Sequence, residues 1–205
     1  MASAREIVII GAGPAGLSAA IQLKRTGFDP LVIEKNEIGG LLRNAFLVEN
    51  YPGFPGGISG RKLANLLKEH LKSLEIEIRK QEILSADFIE DRFLLRSQKG
   101  NIFANILILA TGTEPKRIRS FEHVGDRLHY EIDYIDKLDG KRIAIIGAGD
   151  AAFDYALNLS KSNEVVILNR NRKARCLSIL FERAMSSDRI EYRTNIRVDN
   201  ISRNE

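Results

Sequence analysis

Two stretches of the chain repeat one pattern of apolar and polar residues. In the first, an apolar run at 7–10 leads into the glycine-rich stretch 11–16, apolar residues follow at helical spacing, and a second apolar run at 31–33 ends on Glu34. Short apolar runs bounded by turns are typical of buried strands, and the 3.6-residue spacing is typical of a helix packed on one face. The pattern therefore predicts a strand, a tight turn, a helix and a second strand.

The same order of elements returns in the second half of the chain. An apolar run at 143–146 leads into the glycine-rich stretch 147–152, a helical pattern follows, and the next strand is expected at 164–168, where the residues after Glu164 are apolar. A supersecondary unit that occurs twice in one chain indicates an internal repeat. We expect one copy of the unit in each of two domains.

The region between the repeats has a different spacing of apolar residues. Residues 76–110 alternate with a period of two and predict an antiparallel meander that feeds a buried strand at 106–109. Proline in the turn 110–115 ends that strand. We therefore predict an α/β fold with two Rossmann-like dinucleotide-binding domains, built from parallel sheet plus an antiparallel β-meander, at residues 1–116 and, incompletely, 117–205.

The glycines of the first turn have the spacing of a dinucleotide fingerprint, which is specific only when a strand precedes it and a helix follows. The first glycine allows the tight turn, the second lets a pyrophosphate approach the backbone, and the third lets helix and strand pack closely. Free N–H groups at the start of the helix attract phosphates, and an acid at the end of the second strand accepts hydrogen bonds from a ribose. The predicted nucleotide-binding residues are Gly11, Gly13, Pro14, Ala15, Gly16 and Glu34.

The second turn differs where the chemistry is most informative. Its third glycine position is Ala152, which the fingerprint tolerates because only a small residue is needed there. By residue count Arg170 stands where the first copy has Glu34, and Arg175 follows in the same basic run. An acid repels a ribose 2′-phosphate and arginines clamp it, although a solvated basic loop is the alternative interpretation. The predicted residues of this second site are Gly147, Gly149, Asp150, Ala151, Arg170 and Arg175.

Composition excludes several classes of protein. The net charge of +4 suggests a nucleic-acid surface, but Lys and Arg are interleaved with acids, so we expect no nucleic-acid partner. No apolar run has the length of a membrane span, so we expect a cytoplasmic protein without a membrane partner. The single cysteine, Cys176, excludes an internal disulfide, a CxxC pair and a cysteine-based metal cluster, and an inert thiol is favoured over an activated one.

Several motifs together resemble a known family. An acidic and a basic fingerprint, joined through a meander and an Ala-Thr-Gly turn at 110–112, resemble the two-dinucleotide flavoprotein reductases. The stretches 38–41 and 48–53 are similar to motifs of the thioredoxin-reductase-like branch. The resemblance implies FAD at the first site and NADPH at the second. It implies that further residues of the first domain bind the flavin cofactor, namely Lys35, Gly39, Gly40, Leu41, Asn50, Thr111 and Gly112.

Two departures from this branch narrow the expected activity. Counting back from the second fingerprint, Tyr130 and Asp133 occupy the positions of the branch's CxxC pair. The stretches 128–133 and 147–154 look more like the ferredoxin/flavodoxin–NADP reductases, which lack the dithiol. The resemblance therefore implies that hydride passes from NADPH to FAD and that electrons leave to a small carrier protein such as ferredoxin or flavodoxin, with no catalytic residue identified. A non-catalytic FAD/NAD(P)-binding protein or sensor is the alternative.

The second departure is the end of the chain at position 205. In the family the chain returns from the NADPH domain to the flavin domain, and this returning segment does not follow here. We therefore expect a shortened chain that folds but holds FAD weakly. An unpaired sheet edge would favour a homodimer.

Overall fold

The computed structural model describes residues 3–133, 135 and 138–202. Contacts divide the chain into two units whose sequences interleave. The first unit contains the chain up to Arg43 together with Ile58–Thr113. The second contains Asn44–Gly57 and the chain from Glu114 onward. Domain limits at 1–116 and 117–205 stay a prediction.

The first unit is built on one six-stranded sheet with the order β3-β2-β1-β6-β5-β4. Strands β1, β2, β3 and β6 run parallel, and β4, β5 and β6 form the antiparallel meander. The bounds are Ser3–Ile10 for β1, Leu31–Glu34 for β2, Ile78–Lys80 for β3, Ser85–Ile89 for β4, Arg92–Ser97 for β5 and Gly100–Leu109 for β6. The predicted combination of parallel sheet and meander is confirmed.

Two α-helices and buried apolar side chains complete the first unit. Helix α1 spans Pro14–Arg25, and α2 spans Gly60–Ser73 with the Ser59 hydroxyl accepting the Lys62 N–H at 3.4 Å as an N-cap. Burial of apolar side chains is the main force that holds such layers together. One cluster of this core consists of Val8, Leu31, Ile33, Leu95, Ile102 and Ala104.

The prediction of a buried strand at 106–109 was wrong for two of its side chains. Strand β6 lies inside the sheet, paired on both edges, yet Ile106 is 48% exposed and Leu109 is 68% exposed. A central position in a sheet satisfies the backbone of a strand, whereas its side chains are buried only where another layer packs on that face.

The second unit contains a parallel sheet with the order β7-β8-β9. Its strands are Arg142–Ile146, Glu164–Leu168 and Ile190–Arg193, and its helices are α3, Asp150–Leu159, and α4, Ser178–Met185. The ring of Phe153 is fully buried and lies 5.6 Å from the rings of both Phe181 and Tyr192. These rings fix both helices against the sheet.

The charged stretch after residue 117 contains a regular element that its sequence pattern did not predict. Residues Arg119–Arg127 form 3₁₀-helical turns with a kink at Gly125, whose φ is 62°. Phe121 and Val124 are buried. Side chains three residues apart lie on the same face of a 3₁₀ helix, so two apolar residues suffice to anchor this short element.

The segment Asn44–Gly57 is held by side chains of the second unit. The amide of Asn44, 2% exposed, accepts the N–H groups of Ile132 and Asp133, both at 2.9 Å, and donates to Glu131 at 3.1 Å. Further along, Asp154 accepts the Phe46 N–H at 2.7 Å. None of the described helices is long and apolar enough to cross a membrane.

Candidate functional site

The first glycine turn lies between β1 and α1 and combines two crowded glycines with an open one. A Cβ on Gly11, whose φ is 107°, would lie 2.1 Å from the Ala110 carbonyl oxygen, and a Cβ on Gly16 would lie 2.0 Å from the Gly11 carbonyl oxygen. Neither position therefore accepts a side chain. A Cβ on Gly13 would meet no atom within 4 Å. The space over Gly13 is the room that a pyrophosphate close to the backbone requires.

The start of α1 offers donors without a competing side chain. Gly13 is the N-cap, Pro14 is the first helical residue, and no described side chain caps the helix or places an acid in its first turn. The N–H groups of a first helical turn have no partner within the helix and carry partial positive charge. Ala15, in this turn, has an exposed side chain. This end of the helix therefore suits an anionic group.

Glu34 is oriented by the backbone of the turn. Its Oε2 accepts the Ala12 N–H at 2.7 Å, and its Oε1 accepts the Asn36 N–H at 2.8 Å. Each carboxylate oxygen retains a further lone pair for a hydroxyl donor. Lys35 follows with an exposed side chain, 4.0 Å from Glu82. The geometry fits a ribose whose hydroxyl groups donate to Glu34.

The paired glycines and the turn after β6 approach the same glycine turn. Gly39 donates its N–H to the Ala12 carbonyl at 2.7 Å, and its own Cβ would lie 2.5 Å from the Ala64 Cβ. A Cβ on Gly40 would lie 3.7 Å from the Gly13 Cα. The predicted residues that the first unit brings together on this side are Gly11, Gly13, Pro14, Gly16, Glu34, Gly39 and Gly40.

The remaining predicted flavin residues have less definite positions. Thr111 and Gly112 follow β6 after one intervening residue and are exposed, and the Thr111 N would lie 3.1 Å from a Cβ on Gly11. Leu41 is exposed in the 3₁₀ helix Gly40–Asn44. Asn50 is exposed and lies in the segment that groups with the second unit. Asn50 is therefore the one predicted flavin residue that the first unit does not contain.

The second glycine turn lies between β7 and α3 and is less crowded. Gly147 has a φ of 124° and donates to the Leu168 carbonyl at 3.0 Å, but a Cβ there would meet no atom within 4 Å. Gly149 is the N-cap of α3, and Ala151 is exposed in its first turn. Asp150 adds an acid to that turn, and its Oδ1 accepts the Leu177 N–H at 2.8 Å. This acid, absent from the first copy, joins α3 to the start of α4.

Equivalent backbone bonds show which residues of the two turns correspond. Gly11 donates to Ile33 at 2.8 Å as Gly147 donates to Leu168, so the residue equivalent to Glu34 is the next one, Asn169. Its Oδ1 accepts the N–H two residues on at 3.0 Å, as Glu34 does. The count that placed Arg170 opposite Glu34 is one residue off, because the second unit reaches its strand end one residue earlier.

Arg170 corresponds instead to Lys35, and Arg175 corresponds to Gly39. Arg175 donates its N–H to the Ala148 carbonyl at 2.8 Å, as Gly39 does to Ala12. Both arginine side chains are exposed, and neither forms an ion pair with a described residue. The structure therefore brings Arg175 beside Gly149 and leaves two cations at the second turn for an anionic ligand.

Asn169 organises the loop that carries these arginines. It is 4% exposed, and its Nδ2 donates to the Lys173 carbonyl at 3.0 Å and to the Tyr192 hydroxyl at 2.7 Å. Sequence analysis missed Asn169, Asn44 and Asp154. The detectable signal at Asp154 was an acid in the middle of the largely apolar helix α3, whereas nothing local marked the two asparagines.

Cys176 lies beside the arginine loop but is not activated there. Burial, followed by the nearby Asp150 carboxylate, raises the pKa of its thiol above the ordinary value. A raised pKa reduces the thiolate fraction at neutral pH. The preference for an inert thiol is therefore supported. At the two positions expected for a dithiol, the Tyr130 hydroxyl accepts the Ile118 N–H at 2.7 Å and the Asp133 N–H donates to Asn44 at 2.9 Å.

Comparison with known proteins places this geometry in context. A family model described as pyridine nucleotide-disulphide oxidoreductase matches residues 5–205. A thioredoxin reductase of Chlamydia pneumoniae is 32% identical over 208 residues, which cover 96% of this chain and 67% of that protein. A thioredoxin reductase of Bacillus subtilis is 31% identical over 204 residues, which cover 96% of this chain and 63% of that protein. The chain therefore spans about two thirds of the length of these curated relatives.

A solved structure extends the likeness to three dimensions. The thioredoxin reductase of T. acidophilum superposes with a TM-score of 0.89 at 30% identity, over 98% of this chain and 67% of that one. The predicted α/β fold class and the resemblance to thioredoxin-reductase-like flavoproteins are confirmed. The narrower ferredoxin/flavodoxin–NADP reductase type stays a prediction.

Proposed function

Because the chain belongs to the pyridine nucleotide-disulphide oxidoreductase family, we propose that it binds FAD at the first glycine turn and NADPH at the second. Thioredoxin-reductase-like members of this family bind these two cofactors. The observation that carries the proposal is the pair of equivalent turns with opposite charge. One presents the carboxylate of Glu34, and the other presents the guanidinium groups of Arg170 and Arg175.

The first turn holds the adenosine half of FAD in this proposal. The open space over Gly13 accommodates the pyrophosphate, and the uncapped start of α1 supplies N–H donors to it. Glu34 accepts the ribose hydroxyl groups. The same carboxylate repels a 2′-phosphate, so this site selects a dinucleotide without one.

In this proposal the second turn binds NADPH with the same backbone arrangement as the first turn but with different side chains. Asn169 replaces the carboxylate by a neutral amide, which removes the repulsion at the strand end. Arg170 and Arg175 meet the 2′-phosphate through charge-assisted hydrogen bonds. The proposed preference for NADPH over NADH therefore comes from the absence of an acid together with the presence of Arg170 and Arg175.

The proposed reaction takes hydride from NADPH and passes electrons to a small carrier protein such as ferredoxin or flavodoxin. FAD, when bound, accepts the hydride and releases electrons one at a time. The chain's own residues bind and orient the nucleotides. With one cysteine in 205 residues, and burial raising the pKa of that thiol, the chain lacks the attacking and resolving thiols of dithiol exchange. We therefore propose that it does not reduce disulfides itself, although its relatives bear the name thioredoxin reductase.

Calorimetric titration with NADPH and NADH tests the second site. We expect NADPH to bind at least tenfold more tightly, because each charge-assisted contact contributes about 1.5–3 kcal/mol. The double variant Arg170→Ala with Arg175→Ala should lose this preference. The pair Arg142→Ala with Arg189→Ala, which removes the same charge elsewhere in the second unit, should keep it. Equal affinities in the unaltered protein, or a preference that survives the first double variant, would refute the assignment.

Absorbance and turnover test the flavin and the acceptor. Protein that retains FAD and reduces ferredoxin or flavodoxin with NADPH, but leaves a protein disulfide untouched, supports the proposed reaction. Protein that binds both nucleotides without turnover supports the alternative, a non-catalytic FAD/NAD(P)-binding protein. Disulfide reduction by the pure chain would refute the dithiol exclusion. Light scattering on the same sample tests the proposed homodimer.

A further inference from the structure

His123 is placed between two acceptors in the second unit. Its Nδ1 lies 2.9 Å from the Ser120 carbonyl oxygen, and its Nε2 lies 2.7 Å from the Ile201 carbonyl oxygen. Carbonyl oxygens only accept hydrogen bonds, and a neutral imidazole has one N–H and one lone pair. Both bonds therefore form only when the ring carries two protons. In the neutral ring a nitrogen lone pair would face an oxygen lone pair at hydrogen-bond distance.

The segment that His123 holds, residues 195–202, is bonded at its other end to the arginine loop. Ile196 donates its N–H to the Asn169 carbonyl at 2.9 Å, and Asn195 donates to the Asn171 carbonyl at 3.4 Å. These two acceptors flank Arg170. The 195–202 segment is thus fastened to the base of the loop at one end and to His123 at the other.

The two segments that meet at this contact carry charges of both signs. Arg197 and Asp199 pair with each other at 2.9 Å, so the 195–202 segment brings a balanced pair. The charged groups on the two segments are Arg119, Glu122, Asp126 and Arg127 on the 3₁₀ turns and Arg197 and Asp199 on 195–202.

We infer that His123, in its doubly protonated form, is a positioning residue for the arginine loop of the second nucleotide site. Protonation fastens the 195–202 segment, and that segment supports the loop backbone on both sides of Arg170. When the ring loses a proton as pH rises, one of its two bonds is lost and the segment loosens. Affinity for a 2′-phosphorylated nucleotide then falls. This inference rests on the proposed NADPH site.

The first measurement tests the contact without any nucleotide. Nitrogen NMR of the ring nitrogens reports the protonation of His70, His123 and His129 separately, and hydrogen exchange reports the protection of the amides in 195–202. We expect His123 to carry two ring protons while these amides are protected, and protection to fall as that ring deprotonates. A neutral His123 ring beside fully protected amides would overturn the inference whether or not NADPH binds.

The second measurement tests the effect on the site. NADPH titrations from about pH 5.5 to about pH 8.5 bracket the range in which histidine titrates. At the acidic end we expect His123→Gln to bind NADPH roughly threefold or more weakly than the unaltered protein, because its single amide nitrogen cannot occupy the positions of both ring nitrogens. The difference should vanish at the basic end. His129→Gln, an exposed histidine of the same unit, should follow the unaltered protein.

The 2′-phosphate itself titrates near pH 6, and the comparison between variants removes that contribution because the nucleotide is the same. If the two proteins bind NADPH identically at every pH, the positioning role is wrong. If neither binds NADPH while the NMR and exchange results hold, the contact stands and the proposed function fails.

Discussion

The two glycine turns share a backbone and differ in the side chains that this backbone carries. At the end of the second strand of each copy, Glu34 corresponds to Asn169, and at the next contact with the turn, Gly39 corresponds to Arg175. A cation follows the strand in both copies, as Lys35 or Arg170. Two of the positions that differ in charge are therefore identified by equivalent backbone bonds. One removes an acid and the other adds a cation, while every backbone bond compared here is retained.

The same comparison extends to packing. The first turn is so close to its helix and to β6 that neither Gly11 nor Gly16 has room for a methyl group. In the second copy Ala152 occupies the position of Gly16, and Gly147 has free space around it. The fingerprint glycines therefore have different physical roles in the two copies, although the sequence motif looks the same.

Exchanging the small residues tests the packing difference and should give the largest effect. Gly16→Ala places a Cβ 2.0 Å from the Gly11 carbonyl oxygen, and we expect the first unit to lose about 3 kcal/mol of stability. The reverse change, Ala152→Gly, should cost only about 1 kcal/mol through helix propensity. Denaturant unfolding with hydrogen exchange assigned to each unit measures both. Comparable losses in the two variants would contradict the packing difference.

Neutralising the acid of the first copy tests the charge difference. Glu34→Gln gives the first turn the chemistry of Asn169, and we expect FAD to bind roughly tenfold or more weakly because charge-assisted bonds contribute about 1.5–3 kcal/mol. Quenching of flavin fluorescence during titration measures the affinity. Glu37→Gln is the control, since Glu37 is exposed and pairs with Lys80 at 2.7 Å. Unchanged FAD affinity in Glu34→Gln would show that the Glu34 carboxylate does not contribute to FAD binding.

A smaller effect is expected at Asp154, whose counterpart on α1 is Ser18. Burial raises the pKa of Asp154 above its ordinary value of 3.8, and this outweighs the N–H groups of Phe46 and Leu47, which lower it. A folded-state pKa above the unfolded one contributes stability that is present below the unfolded pKa and is lost as pH rises through the folded pKa. We expect the unaltered protein to lose stability relative to Asp154→Asn as pH rises through that window.

Urea unfolding of the second unit at a series of pH values measures this difference. Asp188→Asn, which changes an exposed acid of the same unit, is the matched control. A difference between Asp154→Asn and the unaltered protein that stays constant with pH would show that the carboxyl of Asp154 is not desolvated.

The sequence predicted the strands and helices better than it predicted which residues of the two copies correspond. Strand β8 ends where its apolar run ends and begins one residue before that run, at Glu164. A buried parallel strand needs apolar residues on both faces, so the run located the strand closely. Counting residues misplaced the equivalent of Glu34, since a count cannot detect that the second unit is one residue shorter between turn and strand end. The hydrogen bonds of the backbone reveal the correspondence, and these exist only in the folded chain.

The hydrogen bonds of Asn44 were beyond sequence analysis for a different reason. Its partners lie 87 to 89 residues away, and an isolated asparagine before a loop has many local interpretations. The 3₁₀ turns of Arg119–Arg127 were missed because two apolar residues among charged ones form no helical period. Local patterns therefore predicted strands and turns, whereas buried polar contacts between distant segments required the structure.

The contacts of the segment Asn44–Gly57 also form in a fixed order, because the chain is synthesised from its N-terminus. Phe46 donates its N–H to an acceptor that lies 108 residues further along the sequence. Glu49 pairs with Arg183, which lies 134 residues further along. At the pace of a ribosome the latter delay is on the order of ten seconds. All six strands of the first sheet have been synthesised before any of these partners emerges. Until α3 and α4 have been synthesised, residues 44–57 therefore lack the contacts that Asp154 and Arg183 provide.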